Sequence, residues 1–98
     1  MSDLHIVVGL RAKKGKEREL EKDLIALVEP TRKEEGNLRY ELFVNDEDPG
    51  YFVFVEQWTS ADAQLRHHNH GPHIQHFNAH GATNVESITF LHRLTRIA

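Results

Sequence analysis

The apolar residues in the first third of the chain follow two different spacings. Residues 4–10 (LHIVVGL) form a short, β-branched run between polar flanks, which predicts a first strand. Within residues 20–31 the apolar positions recur every three or four residues, which predicts an amphipathic helix. Because Pro30 cannot donate a backbone hydrogen bond, we expect a kink near residues 26–30. Gly36 is predicted to end the helix in the left-handed conformation.

Alternating patterns then predict two strands, residues 38–44 and residues 51–58, joined by the turn-forming residues 45–50. In the third strand both alternating sets are largely apolar, which is typical of a strand that is covered on both faces. In a domain this small, one layer of helices covers one face of the sheet. We therefore expect a second copy of the chain to cover the other face, as a homodimer.

The second half of the chain predicts another helix and a last strand. A serine or threonine at positions 59–60 is a good N-cap, and Pro72 suits the start of a second helical piece after Gly71. Residues 78–83 are predicted to be a loop, and residues 85–97 a long strand. Its two faces are predicted to carry Ile88, Phe90 and Leu94 on one side and Leu91 and Ile97 on the other. The order βαββαβ predicts an α+β, ferredoxin-like fold, with two helices on one face of an antiparallel sheet.

Length and composition narrow the classes of function. At 98 residues the chain predicts a single domain, residues 1–98. The absence of cysteine excludes disulfides and thiolate catalysis. The net charge is −3, with both signs interspersed and no basic stripe, so we expect no nucleic-acid partner. No apolar run approaches the roughly 20 residues of a membrane span, so we expect a cytoplasmic protein with no membrane partner.

Six of the eight histidines fall within residues 67–80. A continuous helix would place His73, His76 and His80 on one face, and three ligands with an open position are typical of a catalytic metal. However, no H-E-x-x-H pattern is present, and no carboxylate lies within residues 65–80. We therefore predict no metal site, and we expect single histidines here to titrate ordinarily near pH 6.5. A metal-dependent enzyme built on this cluster stays open as an alternative.

Glu56 and Trp58 lie two residues apart on one face of the predicted third strand. They fit a carboxylate and an aromatic wall that line a cavity between sheet and helices. They fit equally well a core tryptophan and a buried carboxylate paired with an arginine, such as Arg39 or Arg93. Tyr40 has the same two interpretations, as a core residue or as a donor in a pocket.

Three segments together resemble the antibiotic biosynthesis monooxygenase (ABM) domain family, which includes small quinol monooxygenases. They are EEGNLRYEL at residues 34–42, VEQW at residues 55–58, and the spacing Leu65…His68…Pro72-His73-Ile74. The resemblance covers nearly the whole chain in order. It implies a dimeric α+β barrel, in which two ferredoxin-like units join through their sheets and each holds a pocket between sheet and helices.

The resemblance also implies an activity: oxidation of a quinol or another aromatic small molecule by molecular oxygen, without a cofactor. Such chemistry needs an apolar pocket, a base for the phenol and donors that stabilise reduced oxygen. By matching positions it implies three catalytic residues, Glu56, His68 and His73. The implied substrate-binding residues are Tyr40, Phe54, Trp58 and Phe77 as walls and Asn37 near the mouth.

The fold alone does not determine the reaction, because it hosts monooxygenases, isomerases and proteins without known activity. A non-catalytic small-molecule-binding dimer, in which histidines tune affinity with pH, is therefore the main alternative. The haem-degrading relatives carry an asparagine, a tryptophan and an axial histidine that are not found at the corresponding positions here, Val8, His68 and Asn78. We therefore expect no cofactor.

Overall fold

The computed structural model describes residues 3–98, in which four antiparallel strands form one sheet. The strands are β1 (Leu4–Ala12), β2 (Asn37–Asn45), β3 (Asp48–Trp58) and β4 (Val85–Leu94). They lie in the order β2-β3-β1-β4, so β1 and β3 pair at the centre of the sheet, and the two strands joined by each helical crossover are separated by one other strand. This arrangement confirms the predicted ferredoxin-like α+β fold.

The first helical segment bends where the sequence predicts a kink. It consists of α1 (Glu17–Ile25) and α2 (Val28–Arg32), separated by two residues that leave the regular helix just before Pro30. Gly36 follows with a φ of 87°, the left-handed conformation expected after the helix.

The second helical segment begins and divides as predicted. The Ser60 hydroxyl accepts a hydrogen bond from the backbone N–H of Ala63, 3.1 Å away, and thereby caps α3 (Ala61–His70). Gly71 has an extended conformation, and Pro72 then opens α4 (Pro72–His76).

The predicted loop at residues 78–83 is wrong, because the chain continues as a π-helical segment (Phe77–Gly81) and a short 3₁₀ turn (Ala82–Asn84). Gly81 lies within this segment, and its role here is packing. It is buried against the ring of Phe77, and a Cβ at this position would lie 2.7 Å from a ring carbon. The glycine lets the helix pass close to an aromatic side chain and does not reverse the chain.

Two strand boundaries differ from prediction. The connection between β2 and β3 is only residues 46–47, because Asp48 already pairs with Asn45 and forms an ion pair of 2.7 Å with Arg11. At the other end, β4 stops at Leu94 and does not continue to Ile97, whose side chain is exposed.

A bulge in β4 corrects the predicted division of its two faces. The pairing with β1 shifts between Gly9, opposite Phe90, and Leu10, opposite Ile88, so Thr89 is left out of the register. An inserted residue moves every following side chain to the opposite face. Ile88 therefore lies on the helical side of the sheet together with Leu91, where both line one cavity.

The core lies between the helices and one face of the sheet. Along β3 the buried side chains are Phe52, Phe54, Glu56 and Trp58, while the alternating Tyr51, Val53, Val55 and Gln57 on the other face are only partly buried. Within residues 3–98, no helix combines the length and the apolar character that crossing a membrane requires.

Candidate functional site

A cavity of about 280 Å³ lies between the helices and the sheet, beside the buried centre of β3. Its walls are mostly apolar, with Phe54 from the sheet and Phe77 from the π-helical segment. Its polar lining groups are Tyr40, Glu56, Gln64, His67, His68, Asn78 and Arg93. An apolar cavity with a few convergent polar groups is the usual form of a small-molecule site.

The cavity brings together five of the eight predicted site residues and leaves three elsewhere. The five that line it are Tyr40, Phe54, Glu56, His68 and Phe77. Of the other three, Asn37 lies at the start of β2 and donates its side-chain N–H to the backbone oxygen of Arg39, 3.2 Å away.

Trp58 belongs to the core and does not line the cavity, although it contacts two lining residues, Glu56 and His67. Its ring is fully buried, and the indole N–H donates to Glu56 Oε1 at 2.9 Å. The arginines considered as partners for Glu56 bond elsewhere, Arg39 to Glu41 and Arg93 to the side-chain oxygen of Gln64. The two interpretations of this pair thus each hold in part: Trp58 is core, and Glu56 faces the cavity.

Glu56 has the electrostatics of a base that works near neutral pH. Its side chain is 7% exposed, and burial raises its pKa to about 7, with the Trp58 hydrogen bond acting in the opposite direction. The facing Tyr40 is also buried, and burial together with the charge of Glu56 raises the pKa of its phenol, which therefore stays protonated. A carboxylate with a pKa near 7 in a cavity is well matched to accepting a proton from a bound molecule.

The raised pKa of Glu56 predicts that its contribution to stability falls as pH rises. The folded state holds the proton up to about pH 7, whereas the unfolded state releases it near pH 4.5. The stability that this proton contributes is therefore fully present below pH 4.5. It declines between pH 4.5 and about pH 7, by a few kcal/mol in total at about 1.4 kcal/mol per pKa unit. Urea unfolding at several pH values checks this, with Glu56→Gln as the control that lacks the decline. An identical pH dependence in both proteins would contradict the assignment.

The two adjacent histidines on α3 have different environments. His68 is exposed at the rim of the cavity, whereas His67 is buried, and burial lowers the pKa of its imidazole against the opposing effect of Glu34. The sequence pattern did not single out His67. The helical spacing could have indicated that His67 is buried, because it lies four residues after Ala63 and three after Gln64. All three side chains are buried on one face of the helix.

His73, the third predicted residue outside the cavity, forms a separate polar cluster with His67 and Glu34. Glu34 Oε1 lies 2.5 Å from His67 Nδ1 and 3.2 Å from His73 Nε2. His73 Nε2 also lies 3.0 Å from the hydroxyl of Thr31, which itself donates to the carbonyl of Leu27. The cluster connects the end of α2 to α3 and α4. Its three side chains offer ligand atoms that all lie within 4.8 Å of one another.

Sequence and structure comparisons point to one family. Residues 3–80 match the family described as antibiotic biosynthesis monooxygenase. The protein named "Putative monooxygenase YcnE" from Bacillus subtilis (strain 168) is 35% identical over 72 residues, which cover 74% of this chain and 75% of that protein.

Two crystal structures show the same fold along the whole chain. PA3566 from Pseudomonas aeruginosa is 31% identical, with a TM-score of 0.93 and coverage of 100% of this chain and 97% of that one. SO0527 from Shewanella oneidensis is 28% identical, with a TM-score of 0.80 and coverage of 97% and 89%. With the match over residues 3–80, these likenesses show that the chain belongs to the antibiotic biosynthesis monooxygenase family.

Proposed function

We propose that this protein is a monooxygenase that oxidises a small quinol or related phenol with molecular oxygen, without a bound cofactor. The observation that carries the proposal is a buried carboxylate with a pKa of about 7 in an otherwise apolar cavity of about 280 Å³. Family membership supports a monooxygenase reaction on a small molecule.

The carboxylate of Glu56 accepts the phenolic proton when the substrate enters the cavity. The resulting phenolate is electron-rich, and it transfers electrons to oxygen that enters the same apolar space. A quinol and one O₂ then give a hydroxyquinone and one water, so the substrate supplies every electron and no external reductant is needed. Apolar walls from Phe54 and Phe77 hold the aromatic ring and exclude bulk water.

Charge that develops on the reduced oxygen needs hydrogen-bond donors near the cavity. His68 at the rim and the guanidinium of Arg93 both line it, and Arg93 is held by its 3.1 Å hydrogen bond to Gln64. We assign substrate hydrogen bonding to His68 and charge stabilisation to Arg93. The sequence had marked Arg93 only as a possible partner of Glu56.

The open face of the sheet supports a homodimer. Val53 and Val55 are only partly buried there, and Phe43 and Leu94 are exposed on the flanking strands. An apolar surface of this kind is typical of an interface between subunits. We infer that a second copy covers this face; sedimentation of the full chain as a monomer at micromolar concentration would contradict this.

His68→Ala should abolish most oxygen consumption while leaving the free energy of unfolding nearly unchanged, because the side chain is exposed at the cavity rim. The measurement is oxygen uptake by tag-free, chelator-treated protein across a panel of hydroquinones and phenols. The matched control is His70→Ala, an exposed histidine on the same helix that does not line the cavity, which should keep wild-type activity.

Saturable binding of these compounds without uptake by the wild type would instead make the protein a binding module. Uptake that appears only after a metal is added back would reject the cofactor-free reaction.

A further inference from the structure

Behind the main cavity, two imidazoles converge on a single carboxylate oxygen. Glu34 lies in the connection between α2 and β2, His67 on α3 and His73 on α4, so three separate parts of the chain supply the cluster. Both ring nitrogens approach Glu34 Oε1, at 2.5 Å and 3.2 Å. None of these three residues has a role in the proposed oxidation reaction.

We propose that Glu34, His67 and His73 form a binding site for a divalent first-row transition metal. Two imidazoles and one carboxylate are a ligand set of the kind that zinc takes, and nitrogen ligands favour the later metals of the row. Ligand atoms about 2.0–2.2 Å from a tetrahedral ion lie roughly 3.4 Å apart. The three atoms here already lie within 4.8 Å of one another, so side-chain rotations that move these atoms by about 1 Å complete the site.

The surroundings hold the three side chains in place for this role. The side chains of His67, His73 and Glu34 are 6%, 15% and 23% exposed. The His67 ring lies 4.9 Å from that of Trp58 and 5.6 Å from that of Tyr40, between centroids. Ligands that are already fixed by packing lose little conformational freedom when the metal binds. The ion would replace the hydrogen bond between His67 Nδ1 and Glu34 Oε1 and the hydrogen bond between His73 Nε2 and the Thr31 hydroxyl.

The cluster is also accessible. His67 lines the main cavity, and His73 lines a second cavity of about 240 Å³ between α1 and the π-helical segment. The site therefore lies in the wall between two cavities, from which an ion and its remaining water ligands enter. Three protein ligands leave at least one coordination position open.

Titration of tag-free, chelator-treated full-length protein with Zn²⁺, followed by calorimetry, tests the proposal. We expect saturation at one equivalent per chain, a rise in Tm, and a visible absorption band when Co²⁺ occupies the same site. Glu34→Gln, which preserves the size of the side chain, should weaken Zn²⁺ binding roughly tenfold or more. Circular dichroism of this variant confirms that it is folded.

The surface histidines provide the matched control. The exposed rings of His76 and His80 lie 4.5 Å apart at the second cavity, without contributing to the Glu34 cluster, and such pairs also take up metals. The double variant His76→Ala/His80→Ala should keep the one-equivalent site at wild-type affinity. The proposal is overturned if the double variant loses the site while Glu34→Gln retains it, or if wild type shows no saturable binding. Because no readout depends on oxygen uptake, the result is independent of the proposed monooxygenase activity.

Discussion

Replacing Glu56 by glutamine should lower the rate of substrate oxidation by about 10²–10⁴-fold, the usual loss when a general base is removed. The amide oxygen of glutamine still accepts the Trp58 N–H bond of 2.9 Å, so the fold is kept while the proton acceptor is lost. The wild-type rate should also rise with pH through about 7, where Glu56 ionises, and the variant should lack this step. Steady-state oxygen uptake at several pH values measures both effects.

The matched control for this variant is Glu47→Gln, which removes an exposed carboxylate in the turn between β2 and β3. It should retain wild-type activity at every pH. A Glu56→Gln protein with a normal rate and an unchanged pH profile would show that the buried carboxylate has no part in proton transfer.

Trp58→Ala should cost about 3–5 kcal/mol of unfolding free energy, the usual range when a large buried aromatic side chain is truncated. The ring is fully buried, and it packs beside His67 and donates its N–H to Glu56, so its loss leaves both a cavity and an unpaired carboxylate. Trp58 is the single tryptophan of the chain, so unfolding of the variant is followed by circular dichroism.

Two further variants make this result specific. Trp58→Phe keeps most of the ring volume and should cost less than Trp58→Ala, while removing the hydrogen bond that lowers the pKa of Glu56. Ile97→Ala, at a side chain 97% exposed, should change stability by no more than about 0.5 kcal/mol. A Trp58→Ala protein that is as stable as wild type but inactive would identify the ring as a substrate-binding wall.

The periodic segments of this chain were predictable, because each buries one regular face against the sheet or the helices. The kink before Pro30 and the start of α4 at Pro72 follow from the proline ring itself. The bulge at Thr89 was not predictable, because alternation alone carries no sign of an inserted residue. Gly81 resembles a loop residue in sequence, and only the neighbouring Phe77 ring explains why it lies within a helix.

The candidate site was predictable where a strand or helix pattern determined the face on which a side chain lies. Glu56 shares the buried face of β3 with Phe54, so its position in the cavity follows from alternation. Trp58 lies on the same face but beyond the end of the cavity, a distinction that depends on how the helices cover the sheet.

The Glu34 cluster depends on long-range contacts. The sequence-based prediction of no metal site rested on the absence of a carboxylate among the histidines of residues 67–80. Folding brings Glu34 to within 2.5 Å of His67 from 33 positions away in the chain. No local spacing rule describes such a contact. Only the packing of the end of α2 against α3 and α4 creates it.

The proposed function requires that one atom of molecular oxygen enters a phenolic substrate bound in the cavity around Glu56. The most direct measurement is mass spectrometry of the product formed under isotopically labelled O₂ by metal-stripped wild type, with Glu56→Gln beside it. We expect one labelled oxygen atom in each product molecule and a large loss of product formation in the variant. Product without label, or saturable substrate binding with no product at all, would contradict it.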